Sequence, residues 1–142
     1  VSRQSVPEFV RLAEVKPVVF TANQTGTGQG LITKALTGVL ASEGSPVHPG
    51  DAITVYCSGL GAVTPMVVAG TPAPLTHTIV LPVLTIGGKE ATVLFAGLVP
   101  GFAGLYQINA VIPEEVTTGP VVALVINMGG RQSPPVTFAR AR

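Results

Sequence analysis

A chain of 142 residues carries enough material for one domain with a real core, and only 11% of it is charged, against roughly a quarter in an ordinary globular domain. Eight basic and seven acidic residues leave a formal net charge of +1 with no run of Lys or Arg, which removes the electrostatic footprint for nucleic acid or an anionic membrane. Seventeen glycines and thirteen prolines point to extended segments joined by tight turns, and no apolar stretch approaches the roughly 18 residues that a spanning helix needs.

In chain order, residues 1–16 mix Arg3, Glu8, Arg11 and Glu14 with apolar side chains, and residues 1–14 read as a linker or an entering strand. The chain opens on Val1, which leads us to expect a piece of a longer precursor. An apolar run at 17–21 is followed by Gly26-Thr27-Gly28-Gln29-Gly30 and then by LITKALTGVLAS, a run with some helical character. That order resembles the start of a nucleotide-binding unit, in which glycines allow close pyrophosphate approach at a helix N-terminus. Leu31 stands where the third glycine of that motif belongs, and no Walker lysine follows. The segment therefore reads as a flexible glycine turn, and no cofactor is expected.

Pro49-Gly50-Asp51 marks a turn before AITVYCS (52–58), where Ile53, Val55 and Cys57 alternate with Thr54, Tyr56 and Ser58. This is the period of a half-buried strand. Cys57 is the lone cysteine, so no internal disulfide exists, and its place in the apolar phase predicts a buried structural thiol and not a nucleophile. Residues 62–78 hold three prolines and no periodicity, the mark of a long loop. Gly87-Gly88 separates two apolar runs, 83–86 and 91–95, as the turn of a two-residue hairpin.

The stretch 97–113, GLVPGFAGLYQINAVIP, sets a glycine-punctuated loop before a regular alternation. Gly101 and Gly104 are expected to turn the loop where side chains would clash, with Phe102 and Leu105 as apolar anchors. The loop is expected to cross the end of the fold and deliver Tyr106 into register. Tyr106, Ile108, Ala110 and Ile112 then point one way, Gln107 and Asn109 the other. The Tyr106 hydroxyl is a candidate for a tyrosine-corner bond to nearby backbone. Residues 121–128 are apolar in both phases, predicting a central strand or one covered on both sides, and Gly129-Gly130 follows. Turn signals recur at intervals of roughly 8–12 residues, as in a sandwich or barrel.

Chemistry-bearing constellations are scarce. His48 and His77, the only histidines, could join Glu43 and Asp51 around a metal, but their spacing fits no ligand frame, and no metal site is expected. There is no G-x-S-x-G elbow and no H-E-x-x-H, so an enzyme would require the two histidines to converge on the 62–78 loop. Tryptophan is absent, and the five phenylalanines are read as core. A polysaccharide site would have to use Tyr56 or Tyr106.

Several motifs carry a resemblance. Pro49-Gly50-Asp51, Tyr56-Cys57-Ser58-Gly59-Leu60-Gly61, Thr85-Ile86-Gly87-Gly88, Ala91-Thr92-Val93, Ala96-Gly97-Leu98, the run Pro100 to Asn109 and Ile112-Pro113 are the residues concerned, with Phe20-Thr21-Ala22 and the 26–30 glycines upstream. Over roughly residues 15–140 the chain resembles the Solibacter-type C-terminal domain of secreted acidobacterial proteins, a relative of the immunoglobulin-like IPT/TIG modules. It departs from that pattern at Cys57 and at Val18-Val19. The resemblance implies an extracellular setting and supplies no catalytic residues.

The expectation is thus a single all-β domain over residues 1–142, an immunoglobulin-like β-sandwich of seven to nine mostly antiparallel strands. It is expected to act as a non-catalytic structural or adhesive accessory module of a larger exported bacterial protein, the alternative being a carbohydrate-binding module. Its expected partners are other domains of the same precursor, a protein or polysaccharide surface, or a second copy meeting it on an apolar sheet face. Gly87, Gly88, Gly101, Gly104, Tyr106 and Cys57 are its expected structural residues.

Overall fold

The computed structural model describes residues 15–24, 28–42, 44–48, 50–64, 75–78, 80–114 and 119–140. Eleven strands follow in order: β1 (Val15–Val19), β2 (Ile32–Lys34), β3 (Ala52–Leu60), β4 (Val63–Thr64), β5 (His77–Thr78), β6 (Val83–Ile86), β7 (Lys89–Leu98), β8 (Tyr106–Val111), β9 (Gly119–Met128), β10 (Arg131–Gln132) and β11 (Val136–Arg140). The described residues contain no helix, and none of their segments is a helix long and apolar enough to cross a membrane. The fold is all-β with antiparallel strand pairs throughout. It exceeds the expected strand number because β4, β5 and β10, of two residues each, leave too short a signal to be read from sequence.

Nine of the strands form one continuous path, β1-β3-β8-β7-β6-β9-β10, with β2 added to β3 and β11 added to β9, while β4 and β5 pair separately. Strand β7 joins the two halves. Its first residues, Lys89 to Ala91, pair with Ile86 to Leu84 of β6, while Thr92 to Leu98 pair with β8. A bulge between Val93 and Phe95 shifts the phase, so Ala91 and Ala96 both face inward and Leu94 is left 61% exposed. The arrangement is compatible with a two-sheet sandwich, but the sheet curls toward a closed barrel.

Residues 28–30 close it. Ala22 N donates to Gln29 O at 2.9 Å and Leu31 N to Phe20 O at 2.7 Å, extending β1 onto this segment. On its other side Gly30 N donates to Thr137 O and Thr137 N to Gly28 O, both at 2.8 Å, in a parallel bridge to β11. Gly30 is required there: a Cβ would stand 2.8 Å from Val136 Cγ2 and 3.0 Å from Ile32 Cδ1. The glycine segment expected to be a flexible turn is, in its described part, a paired closing strand; residues 25–27 lie outside the described residues. The following run is a hairpin and not a helix. Thr33 bridges Leu40, and Lys34 N donates to Val39 O at 2.8 Å.

Aliphatic side chains fill the interior. Ile53, Val55 and Cys57 of β3, Ile108 and Ala110 of β8, Leu84 and Ile86 of β6, and Leu124 and Ile126 of β9 are fully buried, as the alternation requires. Strand β9 is central, with β6 on one edge and β10 and β11 sharing the other. It is not covered on both faces: Ala123 is exposed and Val125 half-buried. Where β10 ends and β11 has yet to begin, buried Ser133 completes the edge. Its N donates to Ile126 O and its Oγ accepts from Ile126 N, each at 2.8 Å. Phe138 lies in the core, whereas Phe20 and Phe102 are exposed and Phe95 is half-buried, so the reading of the phenylalanines as core holds for one of these four.

Candidate functional site

Tyr106 and Cys57 form a buried node. They face each other across the β3–β8 ladder, and the Tyr106 hydroxyl donates to Gly61 O at 2.6 Å. The acceptor lies 45 residues earlier, at the end of β3, so the bond ties two strands together and does not brace a single corner as a tyrosine corner does. Burial pushes the Tyr106 hydroxyl up to about 12, with the neighbouring Cys57 adding to the effect. Burial alone raises the Cys57 thiol far above the ordinary thiol range. A neutral thiol with no exposed surface is a packing group, and nucleophilic chemistry is closed to it.

The 99–105 loop differs from expectation in three ways. It is a hairpin connection and does not cross the end of the fold: Leu98 pairs with Tyr106, and Val99 N donates to Leu105 O at 2.7 Å. Phe102 is 56% exposed and anchors nothing, while Leu105 is half-buried. Gly101 and Gly104 have φ of 86° and 74°, with open space where a Cβ would stand, so backbone conformation demands glycine there, not crowding. Gly87 and Gly88, at φ 58° and 83°, make the two-residue turn expected between β6 and β7.

Among the described residues, the remaining candidates do not assemble into a polar cleft. His48 meets Asp51, Nδ1 to Oδ2 at 3.6 Å, within a turn in which His48 N also donates to Asp51 Oδ2 at 2.8 Å. His77 is an exposed residue of β5, opposite Thr64. No group of three or more His, Cys, Asp or Glu occurs among the described residues; Glu43 lies outside them. The expected 62–78 loop contains the short ribbon β4–β5, and its residues 65–74 also lie outside the described residues. Thr76 is buried, and its Oγ1 accepts from Leu98 N at 2.9 Å.

The outer face of the β1–β3–β8–β7 layer presents a different chemistry. Val19 pairs with inward-facing Cys57, so Phe20, one residue on, stands beside outward-facing Tyr56, to whose carbonyl its N–H donates at 3.0 Å. Tyr56 is paired with Gln107, and Gln107 with Gly97. That glycine is buried, with the Thr76 main chain against the place a Cβ would take and the Phe95 Cζ 2.9 Å from it, so the β7 end of the row is closed by the chain itself. The adjoining row is Thr33, Thr54, Asn109 and Phe95, with Thr54 Oγ1 donating to Asn109 Oδ1 at 2.8 Å. Neither row contains a charged residue. Sequence reading reached Tyr56 alone, because Phe20 and Phe95 take their places from strand register and from the β7 bulge, which no local pattern announces.

No family model, no curated protein and no solved structure matches this chain.

Proposed function

We propose that this chain is a non-catalytic structural or adhesive accessory module of a larger exported protein, working by surface contact. The observation that carries the reading is the use of its chemistry-bearing side chains. The hydroxyls of Tyr106, Thr76 and Ser133 are bonded to main chain in the interior, and the Cys57 thiol packs among aliphatic groups. These groups hold a frame together and are withdrawn from solvent, which is what a spacer or adhesive unit requires of them. The motifs resembling the Solibacter-type and IPT/TIG modules support the exported setting.

The test has two arms. The purified chain is expected to show no turnover of chromogenic ester, glycoside or peptide substrates. Excising it from its parent protein is expected to lower surface retention while leaving the other domains' activities unchanged. Turnover abolished by Tyr106→Phe or Cys57→Ser would contradict the reading.

A further inference from the structure

We infer that the outer face of the β1–β3–β8 part of the layer binds a neutral polysaccharide, laid across the strands along the row Phe20, Tyr56 and Gln107, with Phe95 of the adjoining row at its β7 end. The inference rests on the surface-contact reading above and names the ligand of that surface. The chain has five phenylalanines and two tyrosines. Phe138 and Tyr106 are consumed by the interior, yet Phe20 and Tyr56 lie on this row and Phe95 on the one beside it. Neighbouring strands lie about 4.8 Å apart, so from β1 to β8 the row spans about 10 Å, room for about two pyranose rings in file.

The row and its neighbour combine aromatic rings with primary amides. Aromatic faces suit the C–H faces of pyranose rings, and primary amides suit their hydroxyls, because an amide donates and accepts at once. Gln107 has no side-chain partner among the described residues, and Asn109 spends its Oδ1 on Thr54 while its Nδ2 donates to none of them. Both amides are thus available between the rings. The two rows carry no charge, so a uronate or sulfated polymer would find no counter-charge there. Strands β3 and β8 are paired on both edges, which leaves side chains and not backbone to make the contact.

Affinity electrophoresis of the chain through gels containing hydroxyethyl cellulose, xyloglucan, galactomannan or polygalacturonate tests this. Retardation is expected in at least one neutral polymer and none in polygalacturonate. Phe20→Ala and Tyr56→Ala are expected to weaken retention at least tenfold and Gln107→Ala severalfold, with Tyr56→Phe close to the parent. Phe102→Ala, on the β7–β8 hairpin loop and outside the two rows, is expected to leave it unchanged. Phe20 is already partly exposed, so its variant carries the test even if Tyr56→Ala unfolds. Retardation by no neutral polymer, or equal behaviour of Phe20→Ala and Phe102→Ala, would overturn the inference. Surface retention of the parent protein persisting alongside such a result would assign the contact to another class of partner and leave the accessory-module reading standing.

Discussion

Tyr106 links the start of β8 to the end of β3 through a buried hydroxyl bond, and removing that hydroxyl strands the Gly61 carbonyl away from water. Tyr106→Phe is therefore expected to cost about 1–3 kcal/mol, read as a lower denaturant midpoint at unchanged slope. A midpoint equal to the parent's would mean that the bond is replaced at no cost. The same residue gives a pH dependence of defined sign. Burial raises the folded-state pKa of Tyr106 to about 12, and that of Cys57 also rises, so the unfolded chain ionises first. The stabilisation is fully present below the unfolded-chain values and declines as pH climbs through them toward 12. Tyr106→Phe is expected to flatten part of that alkaline decline, and a thermal melting series from pH 8 to pH 12 reads it directly.

Among the elements, turns and edges set the register. Gly87 and Gly88 both adopt the positive φ of a two-residue turn, so Gly87→Asn is expected to be neutral or mildly stabilising, whereas Gly87→Val is expected to cost about 1–2 kcal/mol. Ser133 satisfies both backbone groups of Ile126 where β10 gives way to β11, and Ser133→Ala leaves one buried N–H unpaired, with an expected loss of about 1–3 kcal/mol by chemical denaturation. Features of the first kind were legible in the sequence. The Gly-Gly turns, the inward phase of β3 and β8, and the buried thiol follow from local patterns of period two and from turn chemistry. Features of the second kind were not. That Gly30 abuts Val136, or that the Thr76 main chain and the Phe95 ring close over Gly97, depends on residues far apart in the chain and on a bulge that moves the phase by one. The same limit explains β9: its doubly apolar run signals a central strand, but which face meets solvent is decided by the curl of the sheet.

At the scale of the molecule, the frame depends on closure. The path from β1 through β3, β8, β7, β6 and β9 to β11 returns to β1 only because residues 28–30 hydrogen-bond on both sides. That closure covers edges that would otherwise invite strand addition and leaves outer faces as the available surfaces. Gly30→Ala forces a methyl against Val136 and Ile32 and is expected to cost about 1–3 kcal/mol. The most direct test is native-state hydrogen exchange followed by NMR at the amides of Gly30, Leu31 and Thr137. Protection comparable to that of Ile108 in β8 is expected, since all belong to one continuous ladder. Exchange of these three amides at loop rates, with β8 still protected, would show an open sheet and contradict the closed frame.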